Sequence, residues 1–118
     1  MRISLLVQSS AQSTPNVVLA LTFARAAVAA GHALHRVFFY KEAVAIASRF
    51  NQPPQDERDI GASWAEFAAE TQTELAVCVA AGQRRGIIDG DDGTLRNGFS
   101  IVGLGQMVEA MIESDRTV

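Results

Sequence analysis

Cysteine is almost absent from this sequence of 118 residues, which contains Cys78 alone and so cannot form an internal disulfide. Proteins of the secretory route commonly depend on disulfides, so we expect a reducing, cytoplasmic location. Its 10 lysines and arginines are outnumbered by 13 acidic residues, which argues against a nucleic-acid-binding surface. No apolar run is long enough for a membrane span, and the run at 2–7 is too short for a signal peptide.

Two further kinds of site lack their usual residues. A structural zinc site needs about four ligands, and only Cys78, His32 and His35 are available from cysteine and histidine. The loop 8–14 after the first predicted strand contains no glycine, which excludes a Rossmann dinucleotide fingerprint. We therefore expect no metal and no cofactor. The serines and threonine of 9–14 leave a small-anion site before a helix open as an alternative.

What the sequence does contain is typical of one globular domain spanning residues 1–118, since 48% of residues are hydrophobic and 19% are charged. Apolar runs predict strands at 2–7, 34–40, 74–77 and 99–102, and the segment 114–118 is predicted as a last short strand. Periodic or alanine-rich segments predict helices at 14–30, 41–50, 60–70, 79–85 and 103–112. The first helix is predicted to start at Thr14 and Pro15 and to end at Gly31.

The alternation of strands and helices predicts an α/β fold with a mostly parallel sheet of about five strands and helices on both faces. In the first helix, we expect an inward stripe of Val18, Leu21, Phe23, Ala26 and Ala27. In the last helix, Leu104, Met107, Val108 and Met111 share one side.

Cys78 falls where the third strand passes into a short helix. The carboxyl ends of parallel strands are where sites form in open α/β sheets. The start of a helix, with Arg84 and Arg85 further along it, favours the reactive thiolate. Only one of these arginines is expected to face Cys78, because neighbouring helical residues point in different directions. The alternative is a buried structural cysteine, which is common for free thiols.

The chemistry available to Cys78 is limited by the absence of a nearby base. His35 lies near the start of its predicted strand, at the opposite end of the sheet, so a Cys–His hydrolase is not expected. Transfer of sulfane sulfur through a persulfide needs a thiolate and no general base. Glu42, near the end of the second strand, is the acid whose placement suggests a role at this edge.

An ordered set of motifs resembles the DsrE/TusD family of intracellular sulfur-relay proteins. The matching stretches are Gly31-His32-Ala33-Leu34, Val37-Phe38-Phe39-Tyr40, Pro53-Pro54-Gln55-Asp56 with Trp64, Cys78-Val79-Ala80-Ala81, Arg84-Arg85-Gly86, Asn97-Gly98-Phe99, Gly103-Leu104-Gly105 and Ser114-Asp115-Arg116. The resemblance implies a flavodoxin-like three-layer α/β sandwich. It also implies a sulfurtransferase in which Cys78 accepts sulfur as a persulfide, supported by Val79, Ala80, Arg84 and Arg85.

The same resemblance implies partners. These are two homologous subunits of the same fold in a heterohexamer, a small sulfur-donor protein and a downstream acceptor protein, with no direct contact to nucleic acid or membrane. The TusD branch acts in 2-thiolation of the tRNA wobble uridine and is placed first. The DsrE branch, which acts in dissimilatory sulfur oxidation, and a non-catalytic structural subunit are the alternatives.

Two departures from the family pattern concern length. The segment 86–99 is shorter than is usual in the family, and the chain stops soon after Asp115-Arg116. The first lies just beyond the helix that follows Cys78, so we expect a changed rim or subunit contact. A clipped last strand is expected to weaken assembly.

Overall fold

The computed structural model describes residues 1–9, 16–51, 59–90 and 93–118. The strands are β1 (Arg2–Val7), β2 (Ala33–Phe39), β3 (Glu74–Cys78), β4 (Phe99–Val102) and β5 (Arg116–Thr117). The α-helices are α1 (Asn16–Ala29), α2 (Ile60–Thr71), α3 (Val79–Arg84) and α4 (Leu104–Glu113), and a 3₁₀ helix spans Lys41–Ala47. The predicted starts of α1 at Thr14 and Pro15 lie outside the described residues.

All five strands form one sheet in the order β4-β3-β2-β1-β5, and every pairing is parallel. The predicted α/β class and strand number are therefore confirmed. From β1 to β4, each connection leads to the next strand in the same direction across the sheet. The connection from β4 to β5 returns to the opposite edge, beside β1. Because parallel crossovers are right-handed, α1, α2 and α3 cover one face and α4 covers the other. Helices on both faces give the predicted three layers.

Aromatic side chains fill the core between the sheet and α2. Trp64 is fully buried, and its ring meets the Phe39 ring edge-on at 5.4 Å and the Phe67 ring edge-on at 5.9 Å between centroids. Phe99 of β4 lies 5.7 Å from Phe39. Burial of each such ring stabilises the fold by about 1.5–3 kcal/mol, so this cluster fixes α2 against β2 and β4.

The predicted inward stripe of α1 is wrong at Val18, Phe23 and Ala26, which are exposed. The residues that face the sheet are Leu21, Ala24 and Ala27. The exposed side carries Thr22 and Arg25 among apolar residues, so the sequence gives only a weak polar signal for the rotation of the helix. In α4, Leu104, Val108 and Met111 are also exposed, while Met107 is partly buried and Ala110 is buried.

The helix predicted at 41–50 is a 3₁₀ helix that ends at Ala47. After it, the chain pairs with the segment before β4 through a bridge between Ser48 and Leu95. The Arg49 amide donates to the Thr94 carbonyl at 2.8 Å instead of extending the helix. Pairing with a distant segment has therefore replaced local helical hydrogen bonds.

Arg96 ties three segments together. Its amide donates to the Ala47 carbonyl at 2.7 Å, and its guanidinium reaches the Asn51 carbonyl at 3.3 Å and Asp59 Oδ2 at 3.4 Å. Asp59 is the N-cap of α2 and accepts from the Ala62 amide. The side chain of Arg96 thus joins the end of the 3₁₀ helix to the start of α2 and the approach to β4.

Gly61 is the residue that lets these segments approach so closely. A Cβ there would lie 2.9 Å from the Ile46 carbonyl oxygen and 3.2 Å from Arg96 Cζ. We expect Gly61→Ala to lower the free energy of unfolding by about 1–3 kcal/mol through overpacking. Gly105 in α4 has open space around its Cβ position, so Gly105→Ala is the matched control and should gain about 0.4–1 kcal/mol. Urea denaturation followed by circular dichroism measures both, and equal effects would contradict the argument.

Candidate functional site

Cys78 ends β3 and is the N-cap of α3. Its side chain is 1% exposed, and its residue pairs with Val102, the last residue of β4. β3 lies between β2 and β4, so the thiol is at the carboxyl edge of an internal strand. The predicted strand-to-helix junction is confirmed, and the sulfur lies beneath the surface at that junction.

A second helix begins next to this junction. Val102 is followed by Gly103, the N-cap of α4, and α4 starts at Leu104. Among the described residues, no side chain caps the start of α3 or of α4. Backbone amides in the first turn of a helix have no partner within the helix and favour a nearby negative charge. Two helices therefore start at the edge of the sheet where Cys78 ends β3.

Val79 and Ala80 form the surface beside the buried sulfur. They begin α3 and are exposed, Val79 to 39%. Solvent thus reaches the first turn of α3 but not Cys78 itself. A partner reaching the thiol at this edge would meet small apolar side chains first.

Arg84 and Arg85 lie at the opposite end of α3 from Cys78. Arg84 is the sixth residue after Cys78, a rise of about 9 Å, and Arg85 follows it. Both are exposed, and Arg85 Nη1 donates to the Ala81 carbonyl at 3.4 Å. Within the described part of the chain, neither guanidinium is hydrogen bonded to Cys78. Cations also stabilise the end of a helix in any protein, so their role toward the sulfur stays a prediction.

Glu42 is on the 3₁₀ helix, which packs against both β3 and α3. The helix buries Ala43, Val44, Ile46 and Ala47, and the Glu42 side chain is exposed. The chain enters this helix through Lys41, whose φ of 52° is left-handed. Glu42 therefore shares the sheet edge with Cys78 without any described contact to it, and its role also stays a prediction.

His35 lies at the other end of the sheet, as predicted. Its Nδ1 is 3.2 Å from a guanidinium nitrogen of Arg2, and its Nε2 is 3.8 Å from a Glu113 carboxylate oxygen. A guanidinium only donates, so Nδ1 is the acceptor in that hydrogen bond. This histidine is engaged in holding the end of α4 against β1 and β2. It supplies no base at the carboxyl edge.

Other features lie away from Cys78 or have no counterpart in the structure. A cavity of about 50 Å³ between the sheet and α4 is lined by residues that include Leu6, Phe38, Met107 and Met111.

In residues 1–9, 16–51, 59–90 and 93–118, no three histidine, cysteine or acidic side chains are grouped as a metal site would require. None of the helices described is long and apolar enough to cross a membrane. The loop considered for a small anion, 9–14, lies almost wholly outside the described residues.

The sequence interpretation did not identify Gly103 and the start of α4 as neighbours of Cys78. The segment 99–102 and the helix after it were predicted, but their position beside β3 depends on the strand order. The signal that could have found them is that both predicted strands run into a predicted helix, which in a parallel sheet places both helix starts at the same edge.

Comparison with known proteins identifies the family. The sequence matches the DsrE/DsrF-like family over residues 1–118. The chain belongs to the DsrE/DsrF-like family. The resemblance inferred from the motifs around Cys78 is therefore confirmed.

Relatives of this DsrE/DsrF-like chain carry two names. A putative sulfurtransferase DsrE of Allochromatium vinosum is 47% identical over 84% of this chain and 82% of its own. A sulfurtransferase TusD of Cronobacter sakazakii is 39% identical over 100% of this chain and 98% of its own length. A sulfurtransferase TusD of Yersinia pestis is 41% identical over 97% of this chain and 93% of its own length. The Cronobacter alignment extends over 126 residues against 118 here, so that relative has residues without a counterpart in this chain.

Solved structures confirm the fold of this family member. The ychN protein of E. coli superimposes with a TM-score of 0.84 over 100% of this chain and 97% of its own, at 18% identity. A protein of unknown function from Methanobacterium thermoautotrophicum superimposes with a TM-score of 0.73 over 99% and 96%, at 19% identity. At this identity, the likeness concerns the fold alone.

The burial of Cys78 predicts slow modification of the thiol in the folded protein. Reaction with a disulfide reagent requires a local opening, so we expect it to be at least about tenfold slower than in urea-unfolded protein. The absorbance of the thiolate that the disulfide reagent releases measures both reaction rates. Ser100 is exposed on the neighbouring strand β4, so a Cys78→Ser, Ser100→Cys variant provides an accessible thiol as the control. Equal rates for Cys78 and the control would contradict burial.

The arginines of α3 can be tested by the charge of the reagent. Iodoacetate is an anion and iodoacetamide is neutral, so a nearby arginine favours the reaction of Cys78 with iodoacetate. We expect the ratio of the iodoacetate rate to the iodoacetamide rate to fall about twofold when the arginine that faces the sulfur is replaced. One unit charge at this distance contributes about 0.5 kcal/mol in water. Local opening affects both reagents equally and cancels in the ratio. Arg84→Gln and Arg85→Gln are compared with Arg116→Gln in β5, at the far edge of the sheet. If neither Arg84→Gln nor Arg85→Gln changes the ratio of rates, neither arginine acts on the sulfur of Cys78.

Proposed function

We propose that this protein is a sulfurtransferase that accepts sulfane sulfur as a persulfide on Cys78 and passes it to a downstream carrier protein. One observation carries the proposal: the sole cysteine ends β3 at the carboxyl edge, directly before α3. Full-length relatives named sulfurtransferase TusD support the same activity class. Cys78 is the residue of this chain that can form a persulfide.

The proposed transfer has two steps that each exchange one sulfur–sulfur bond. The Cys78 thiolate attacks the outer sulfur of a donor persulfide, the donor S–S bond breaks, and the donor leaves as a thiolate. A thiolate of the acceptor then attacks the outer sulfur on Cys78 and releases the Cys78 thiolate. No net oxidation occurs in either step. With a single cysteine, the chain cannot release the sulfur by closing a disulfide, so both steps need partners.

The surroundings of Cys78 suit an anionic sulfur intermediate. The starts of α3 and α4 provide amides that favour negative charge, and burial keeps small reductants from the persulfide. The same burial requires the edge near Val79 and Ala80 to open when a partner attacks. Local opening of a short element such as α3 costs less than unfolding of the sheet.

Burial also favours a second candidate, a structural subunit whose cysteine only packs. At 1% exposure, Cys78 resembles a small hydrophobic core residue. Under this alternative, Cys78→Ser would support sulfur transfer in the assembled complex as well as the wild type does. A transfer assay in the assembled complex that compares Cys78→Ser with the wild type separates the two.

For the pathway, we propose 2-thiolation of the tRNA wobble uridine, the role implied by the TusD branch. The TusD relatives match nearly the whole chain, whereas the DsrE relative is more identical over a shorter span and favours dissimilatory sulfur oxidation as the alternative. Deletion of the gene in its host distinguishes them, because loss of 2-thiouridine from bulk tRNA and loss of sulfur oxidation are separate phenotypes. The heterohexamer, the donor and acceptor proteins and the cytoplasmic location remain part of this proposal.

Persulfide formation is the direct test. We expect incubation with inorganic polysulfide to add about 32 Da, one sulfur, to the intact wild-type protein, and dithiothreitol to remove it. Cys78→Ser should gain nothing. The variant with Cys78→Ser and Ser100→Cys carries its thiol on the exposed surface of β4 and should lose its added sulfur to dithiothreitol faster than the wild type.

Two results would overturn the proposal. One is a wild-type protein that gains no sulfur under conditions that load the surface thiol. The other is an equal mass gain in Cys78→Ser, which would place the sulfur on another group.

A further inference from the structure

Tyr40 lies level with Cys78 on the neighbouring strand. Phe39 pairs with Val77 at the end of the β2–β3 ladder, so the next residues of the two strands, Tyr40 and Cys78, follow side by side. The Tyr40 amide donates to the Val7 carbonyl at 2.9 Å, so the residue continues the sheet hydrogen bonding beyond the end of β2. Neighbouring strands are about 4.8 Å apart. Tyr40 and Cys78 are therefore adjacent at the carboxyl edge.

The Tyr40 side chain is on the α4 side of the sheet. Side chains alternate between the two faces along a strand. Phe39 contacts Trp64 of α2, so Tyr40 is on the opposite face. Phe38 has the same facing as Tyr40, two residues away, and it lines the cavity beneath α4 together with Met107.

The Cys78 side chain shares that face. Val77 Cγ1 lies 3.7 Å from the position that a Cβ on Gly82 of α3 would occupy, so Val77 faces α3. Cys78 is the next residue of the strand and consequently points to the α4 side. Its partner across the ladder is Val102, which leads through Gly103 into α4. Along the carboxyl edge, the thiol thus lies between Tyr40 and Val102 on one face.

The hydroxyl of Tyr40 is available as a hydrogen-bond donor. The residue is half-buried and packs against the core. Within residues 1–9, 16–51, 59–90 and 93–118, no group forms a hydrogen bond with this hydroxyl, and it is not one of the buried polar atoms without a partner. Solvent therefore reaches the hydroxyl although the ring is packed. Tyr40 is also the sole tyrosine of the chain.

Addition of a sulfur to Cys78 brings an acceptor toward this hydroxyl. A sulfur–sulfur bond is about 2.05 Å long, so the outer sulfur of a persulfide extends about 2 Å beyond Sγ. A tyrosine hydroxyl is further from its backbone than a cysteine Sγ, because the ring separates it from Cβ. On a shared face, the outer sulfur is thus closer to the height of the hydroxyl than Sγ is. Hydrogen bonds to an ionised acceptor are about twice as strong as neutral ones.

We propose that the Tyr40 hydroxyl donates a hydrogen bond to the outer sulfur of the Cys78 persulfide. This inference rests on the proposed function and adds a second catalytic residue to it. The hydrogen bond forms as the donor thiolate leaves and is lost when the acceptor thiolate removes the outer sulfur. No proton is transferred in either step. By stabilising the loaded state, Tyr40 favours retention of the sulfur on Cys78 over its return to the donor.

The equilibrium of sulfur exchange tests this role. Glutathione persulfide and glutathione are mixed with the full chain in known ratios, and intact mass gives the loaded fraction. We expect Tyr40→Phe to lower the equilibrium constant for loading about tenfold, because the persulfide loses a hydrogen bond to a charged atom. The iodoacetamide rate of unloaded Cys78 should stay the same, since the hydroxyl contacts only the outer sulfur.

The matched control removes a hydroxyl elsewhere. Thr22 is exposed on α1, where its hydroxyl donates to the Val18 carbonyl at 3.1 Å. Thr22→Val should load with sulfur like the wild type. Far-ultraviolet circular dichroism checks that both variants are folded.

The sole tyrosine also allows a direct spectroscopic readout. Tyrosine labelled with carbon-13 at Cζ gives one nuclear magnetic resonance signal, which reports the hydrogen bonding of the Tyr40 hydroxyl. We expect this signal to shift when polysulfide loads the wild type and to return after dithiothreitol. In Cys78→Ser, the same treatment should leave the signal in place.

Three results would overturn the inference. In the first, the wild type gains sulfur and Tyr40→Phe has the same equilibrium constant, which leaves the proposed function standing without Tyr40. In the second, Tyr40→Phe changes the iodoacetamide rate as much as the equilibrium constant, which makes the hydroxyl a packing group. In the third, the wild type gains no sulfur, and the proposed function fails together with this inference.

Discussion

The parallel pairing of β3 with β4 is the constraint on which the site depends. It aligns Cys78 with Val102, so both strands end at the same level and the chain turns into a helix at each end. The starts of α3 and α4 are consequently adjacent at the thiol. A shift of one residue in this register would turn Cys78 to the other face of the sheet. The aromatic contact of Phe39 with Phe99 and the hydrogen bonds of Arg96 hold β4 in place across the neighbouring segments.

This arrangement reconciles burial with reactivity. A thiol in a sheet interior is ordinarily an inert packing residue, and Cys78 is as buried as one. Its backbone, however, leaves the sheet immediately for a helix of six residues whose first turn is exposed. Cys78 thus lies at the boundary between the sheet and the exposed first turn of α3, away from the rings of Trp64 and Phe67 that hold α2.

The elements that local pattern determines were predictable from the sequence, and those that depend on distant contacts were not. The five strands, the parallel sheet and the position of Cys78 followed from apolar runs and their alternation. The extent of the helix after Tyr40 did not, because Ser48 and Arg49 pair with Leu95 and Thr94 across the chain. The rotation of α1 was not predicted either, since Thr22 and Arg25 give its exposed side a weak polar signal. Arg84 and Arg85 were correctly placed on the helix after Cys78, but sequence spacing does not show where their guanidinium groups point.

The error in α1 carries information about the protein beyond the single chain. A sequence pattern records every surface that is buried in the working state, including surfaces buried by other subunits. Val18 and Phe23 were predicted to be inward because they are apolar, yet the sheet is covered by Leu21, Ala24 and Ala27. In α4, Leu104, Val108 and Met111, which were predicted to share one side of the helix, are exposed as well. A chain of this length has limited apolar surface to spare for its core. This surplus lies on the outward faces of α1 and α4, away from the carboxyl edge where Cys78 ends β3.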